Sequence, residues 1–307
     1  MILYGREGEF SRQSMNDKIA IACAVGGFEG VFLHGVLSAF EEGGFRAGAY
    51  AAASSSVVPA AAAAIGTTRE LGINHWIEGF RIINAGGLGM STLALEGIES
   101  AAPAIVDQLF RTESPRFLIA TNLVDFAGQK DTQGKGARRL GRMLLLSAAR
   151  DDRVWIDKHL TLQLFDSRSA GETPALTVDN FEQVAYASSR MLHAWDIPAW
   201  IGGRAYVDAF YSCACPAYEA AELGYSRVIA ISNEPVLYRD IIQIEAIQPS
   251  YNGTTITFIK PDYDPVEHGV NYTTATIEGL EHVFHHGLSK GHSFLSSALD
   301  NPLPAEI

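Results

Sequence analysis

From residue 18 onward, short unbroken apolar runs alternate with stretches in which apolar residues recur every three or four positions. The segment 18–25 (KIAIACAV) is a run suited to a strand buried on both faces. A glycine cluster follows, and then Phe32, Leu33, Val36, Leu37 and Phe40 fall at helical spacing, closed by Gly43 and Gly44. The unit repeats. Residues 47–53 (AGAYAAA) predict a second strand, three serines a turn, and 60–65 an alanine-rich helix ending at Gly66. Pro59 falls in that helix's first turn, where a missing N–H matters least. Helical patterns over 92–110 and 137–149 alternate with strand-like runs at 117–121, 228–232 and 256–259. A last helix is marked by Ile277, Leu280, Phe284, Leu288, Leu295 and Leu299, with Gly291 as an expected interruption. The alternation predicts an α/β fold: a three-layer sandwich whose central, mainly parallel sheet is covered by helices on both faces. No repeat or Pro/Ser/Gly-rich linker divides 18–307, which reads as a single domain; the polar, aperiodic stretch 1–17 reads as an N-terminal arm.

Composition narrows the function classes. Lys and Arg number 23 against 35 Asp and Glu, a formal net charge of −12 that repels phosphate backbones, so nucleic acid is not an expected partner. Cys23, Cys213 and Cys215 are too few for a disulfide framework and lack the partners of a zinc site; neither metal nor cofactor is expected. The start lacks the pattern of a signal peptide, and no apolar stretch reaches membrane-spanning length, so a cytoplasmic location is expected.

Three segments carry candidate chemistry. In 25–30 (VGGFEG), adjacent glycines between a strand and a helix suit a nest of backbone N–H groups that binds negative oxygen, though the same glycines also serve a purely steric turn. The spacing is not that of a dinucleotide-binding fingerprint. In 53–57 (ASSSV), serines between a strand and a helix match the setting of a nucleophile elbow, or of a helix N-cap at Ser54 or Ser56. In 206–210 (YVDAF), Asp208 is a single acid at the end of an apolar run, placed to face the same sheet edge or to cap a turn.

Taken in order, these segments resemble the patatin-like phospholipases, a family of lipid acyl hydrolases. The family's G-G-G-x-[RK]-G is similar to VGGFEG, its G-x-S-x-G to ASSSV with Ser55 in the nucleophile's place, and its D-G-[GA] to Asp208, Ala209 and Phe210. The likeness runs from about Lys18 to Ser232, with weaker echoes to the C-terminal helix. Departures are specific: Val25 for the first glycine, Glu29 for the basic residue, Ala53 and Val57 for the elbow glycines. Val57 is expected to crowd the turn, and Glu29 to set a negative charge near a developing oxyanion.

The resemblance implies a Ser55/Asp208 dyad, a covalent acyl-enzyme and an oxyanion hole built from the backbone of Gly26, Gly27 and Phe28, acting on a lipid or other acyl ester without cofactor or metal. An acyltransferase using the same acyl-enzyme and a catalytically silent binding protein are the alternatives. Peripheral membrane contact is compatible with that substrate class, although no amphipathic stretch marks a docking face. Trp195, Trp200 and Met191 read as pocket wall or core. His282, His285, His286 and His292, on the last helix, read as surface or partly buried residues, and Cys213 and Cys215 as packing residues.

Overall fold

The computed structural model describes residues 18–84 and 89–300; the arm read over 1–17 and the side chain of Leu299 lie outside the described residues. In chain order the strands are β1 (Ile19–Cys23), β2 (Ala49–Ala53), β3 (Arg116–Val124), β4 (Leu160–Asp166), β5 (Ala199–Ile201), β6 (Arg204–Val207), β7 (Arg227–Ile231), β8 (Ser250–Tyr251) and β9 (Thr254–Ile259). The helices are α1 (Gly30–Glu42), α2 (Val57–Ile65), α3 (Thr68–Leu71), α4 (Asn74–Asn84), α5 (Met90–Leu109), α6 (Gln129–Gln133), α7 (Ala137–Ala148), α8 (Val154–His159), α9 (Phe181–Ser189), α10 (Ala217–Glu222) and α11 (Ile277–Asp300). The strands form one sheet in the order β5-β6-β3-β2-β1-β7-β9-β8, with β4 also on β3. Its centre, β3-β2-β1-β7-β9, is parallel, and antiparallel pairs occur only toward the margins. The fold is therefore α/β, with a largely parallel central sheet flanked by helices.

The apolar runs become strands because alternate residues feed two cores. Ile19, Ile21 and Cys23 join the larger one with Phe32, Leu33 and Phe40 of α1, while Ala20 and Ala22 join a thinner one with Val228, Ala230 and residues of α10. Small side chains on this second face let α10 sit close to the sheet. On the first face, α1 and α11 meet backbone to backbone: a Cβ at Gly287 would stand 2.0 Å from the Phe32 carbonyl oxygen. Gly291 does not interrupt the helix as expected. It lies against Val36 and Ala39, where a Cβ would stand 2.6 Å from that of Ala39, and α11 runs through it.

The register of β3 places the site. One edge of β3 pairs with β4 along 118–124; the other pairs in parallel with β2 up to Ala53 opposite Ala120, and then antiparallel with β6 at Val207 opposite Asn122. Strands β2 and β6 thus run toward each other along a single edge. The residues that follow their ends, Ser54 and Asp208, meet in the gap.

Candidate active site

The three serines after β2 have three different environments. Ser54 is in the left-handed region at φ 57°, a conformation that non-glycine residues adopt at a cost and that marks the apex of a strand-to-helix elbow. Its N–H donates to Ser188 Oγ at 2.8 Å, and that hydroxyl donates to the Ala120 carbonyl at 2.6 Å, which ties the strained residue to α9 and β3. The Ser54 hydroxyl donates to Asp208 Oδ2 at 3.0 Å. Ser56 closes the turn: its hydroxyl accepts the Ala53 N–H at 3.1 Å and lies 2.7 Å from the Ala53 carbonyl oxygen. Ser55 Oγ is buried with no hydrogen-bond partner among the described residues and faces Gly30.

The apex is therefore one residue earlier than the expected Ser55. Strand β2 ends at Ala53, so the turn begins at once, and the positions two before and two after the apex are the small residues Ala52 and Ser56. Val57, expected to crowd the elbow, is an ordinary helical residue at φ −58° and ψ −49°.

Asp208 is fully buried. Its Oδ1 accepts the Phe210 N–H at 2.8 Å, and its carbonyl accepts from Asn122 Nδ2 at 2.7 Å, so both carboxylate and backbone are held. Burial pushes the carboxyl up to about 7, opposed by the hydrogen bonds from Phe210 and Ser54. No histidine hydrogen-bonds to Ser54 or Asp208 among the described residues.

The glycine turn lies at the end of β1. Asn233 braces it, donating from Nδ2 to the carbonyls of Ala24 at 3.2 Å and Val25 at 2.9 Å and accepting the Leu33 N–H at 3.2 Å. Gly27 is left-handed at φ 52° and sits under the Tyr272 carbonyl, where a Cβ would stand 2.0 Å from the oxygen. The N–H groups of Gly26 and Gly27 have no hydrogen-bond partner among the described residues; that of Phe28 turns toward the Tyr272 carbonyl at a long 3.4 Å. Glu29 corrects the expectation of a nearby negative charge. It is buried, Oε2 has no partner, and burial beside Glu234 and Asp264 pushes its carboxyl up to about 9, so it is neutral at neutral pH.

Beside Ser54 and Ser55 opens a cavity of about 370 Å³, lined mainly by apolar side chains including Phe28, Val58, Trp76, Leu93, Ile98 and Trp195. Trp195 is thus pocket wall, whereas Trp200 is 44% exposed elsewhere and Met191 is core. A lining helix escaped the sequence reading. Helix α4 brings His75 and Trp76, although Trp76, Ile77, Phe80 and Ile83 carry the helical spacing that could have revealed it. Trp76 is locked by His34, which accepts its indole N–H at 2.9 Å on Nδ1 and donates from Nε2 to the Thr68 carbonyl at 3.0 Å. Burial lowers the His34 imidazole to about 4 and keeps it neutral in that role. The described residues contain no group of three or more His, Cys, Asp or Glu side chains that could hold a metal ion, and no helix long and apolar enough to cross a membrane.

No family model matches the sequence. No curated protein matches it either. Among solved structures the chain is similar to VipD from Legionella pneumophila, with 12% identity and a TM-score of 0.42; the match covers 91% of this chain and 66% of that one, just under two thirds of its length. A likeness this distant adds nothing to the chemistry, which rests on the residues themselves.

Proposed function

We propose that the protein is a serine acyl hydrolase of the patatin-like type, its single domain using Ser54 as nucleophile and Asp208 as general base on a lipid or other acyl ester. The observation that carries the reading is a strained serine at the end of a parallel strand, donating to a fully buried carboxylate 3.0 Å away, on the wall of an apolar cavity. As Ser54 Oγ attacks the acyl carbon, its proton passes to Asp208. Collapse of the tetrahedral intermediate expels the alcohol, which takes that proton, and leaves an acyl-serine. Asp208 then takes a proton from water as the water attacks, and Ser54 leaves with it. A carboxylate lifted to about 7 is a far better base than an exposed one. Gly27, on the cavity wall with an unpartnered N–H, is the first candidate oxyanion donor, with Gly26 beside it. The apolar cavity suits the acyl chain.

The test is intact mass after incubation with an alkyl fluorophosphonate. Wild type gains one adduct, Ser54→Ala gains none, and Ser55→Ala labels like wild type. Labelling lost in Ser55→Ala and kept in Ser54→Ala would return the nucleophile to Ser55. No labelling of a folded wild type would favour the silent binding protein, and labelling with turnover only when an added alcohol or amine accepts the acyl group would favour the acyltransferase.

A further inference from the structure

The connection between β3 and β4 spans residues 125–159; it buries Ala137, Leu140, Leu144 and Ile156 in the core and takes no part in the proposed chemistry. It leaves β3 at Val124 and re-enters at Leu160, which pair with each other, so the whole excursion rises from one end of the sheet. Because β3 is parallel to β2, that end is the one where Ser54 lies.

Its surface differs from the rest of the chain. Across 125–159 eight Lys and Arg stand against five Asp, and six of the bases, Lys130, Lys135, Arg138, Arg139, Arg142 and Arg150, fall between 126 and 150, where Asp131 is the single acid, in a protein whose net charge is −12. All six bases are exposed, and none forms an ion pair among the described residues. The same excursion holds several of the most exposed large apolar side chains: Phe126 at 90%, Val154 at 74% and Leu146 at 62%.

Helix α7, whose sequence reads as helical but not as a docking face, is two-sided and organises this surface. Ala137, Leu140, Gly141 and Leu144 form its buried stripe. Gly141 seats it on the backbone of Leu192 and His193, the segment leading to Trp195 of the cavity wall; a Cβ there would stand 2.3 Å from the His193 nitrogen. On the opposite side Leu146 stands at the centre, with Met143, Arg142 and Arg139 three, four and seven residues before it and hence on one stripe. Apolar and cationic side chains thus share the outer face. A lipid–water interface uses both: guanidinium groups reach phosphates while leucine, methionine and phenylalanine enter the acyl boundary.

We infer that the 125–159 excursion, through Arg138, Arg139 and Arg142 with Leu146 and Phe126, docks the protein on an anionic phospholipid surface and turns the Ser54 end of the sheet toward it. The occupant is argued from charge complementarity: a positive, apolar-studded patch on an acidic protein fits a negative bilayer, to which each surface Arg contributes roughly fivefold in affinity. The docking itself is independent of the hydrolase reading; only its benefit to catalysis rests on that reading.

The experiment is cosedimentation of the full chain with phosphatidylcholine vesicles and with mixed phosphatidylcholine–phosphatidylserine vesicles, for wild type, R138Q/R139Q/R142Q and Phe126→Ser. Expected are binding to the mixed vesicles only, weakening with salt, a loss of roughly 100-fold in the triple variant and a smaller loss in Phe126→Ser. All substituted residues are exposed, and unchanged circular dichroism and thermal midpoint check the fold. Fluorophosphonate labelling, read separately, reports on Ser54, so a failure of the hydrolase reading is distinguishable from a failure of docking. The inference is overturned if wild type ignores anionic vesicles, if it binds both kinds equally, or if the triple variant binds like wild type. It is equally overturned if the patch instead drives self-association or RNA binding in the absence of lipid affinity.

Discussion

Glu29→Gln should stabilise the protein increasingly as pH rises. Glu29 is 2% exposed, its Oε2 has no partner, and Glu234 and Asp264 oppose its ionisation. Its carboxyl is held at about 9 in the folded chain, against an ordinary 4.5. Between those values the folded state keeps a proton that the unfolded state has released. Such a group gives stability that is lost as pH rises. At about 1.4 kcal/mol per pH unit, the gap from 4.5 to a buffer near pH 7.5 is worth about 4 kcal/mol, an upper figure because the site can relax or admit water. Glutamine has nearly the same shape and cannot ionise, so it escapes this penalty.

The assay is urea unfolding of wild type and Glu29→Gln across the range from about pH 4.5 to 9. Near the acid end both side chains are neutral, and any difference there measures amide against acid. From that baseline the two stabilities should diverge, the variant gaining several kcal/mol by neutral pH and more toward pH 9. Parallel curves would refute the reasoning, because they would mean that Glu29 binds protons equally in both states and is not buried without a partner.

Two further predictions concern the site. If Asp208 is the base, kcat/KM on a nitrophenyl ester should rise with pH through about 7 as the carboxyl ionises, and Asp208→Asn should remove both the activity and the pH dependence; a flat profile across that range would exclude it. Gly30→Ala puts a Cβ 2.8 Å from Trp76 Cη2 and 3.0 Å from Ser55 Oγ, against an indole tethered to His34, so it should cost about 1–2 kcal/mol despite alanine's better helix propensity; urea unfolding that shows no loss would mean that Trp76 moves freely.

Much of the fold was legible in residue pattern. Ile19–Cys23, Arg227–Ile231 and the alternation around them announced a parallel sheet because a strand covered on both faces must be apolar throughout. Asp208 stood out as a lone acid in an apolar run. The elbow was legible to within one residue and no closer. Three consecutive serines share the same chemistry, and the apex is decided by where β2 stops pairing with β3, at Ala53 opposite Ala120, which residue types do not encode. The burial of Glu29 was hidden for a related reason. A carboxylate in the first turn of a helix normally faces water, and only the packing of Glu234, Asp264 and Tyr272 around it reveals otherwise.

The two buried acids of this site are separated by their hydrogen-bond donors. Both lose water, and desolvation is the largest influence on each. Asp208 recovers part of that loss from the Phe210 N–H and the Ser54 hydroxyl, and so comes to rest near 7. No donor is given to the Glu29 Oε2, and like charges face it, so its carboxyl rises to about 9. At neutral pH one of the two is divided between acid and carboxylate while the other stays an acid. Under the proposed chemistry, proton transfer at Ser54 therefore has a single acceptor, and the glutamate that stands where the patatin-like motif has a basic residue adds no charge to oppose an oxyanion at the glycine turn. On this account the departure at position 29 alters the pH dependence of stability and leaves the electrostatics of the acyl-transfer step to Asp208 and the backbone N–H groups.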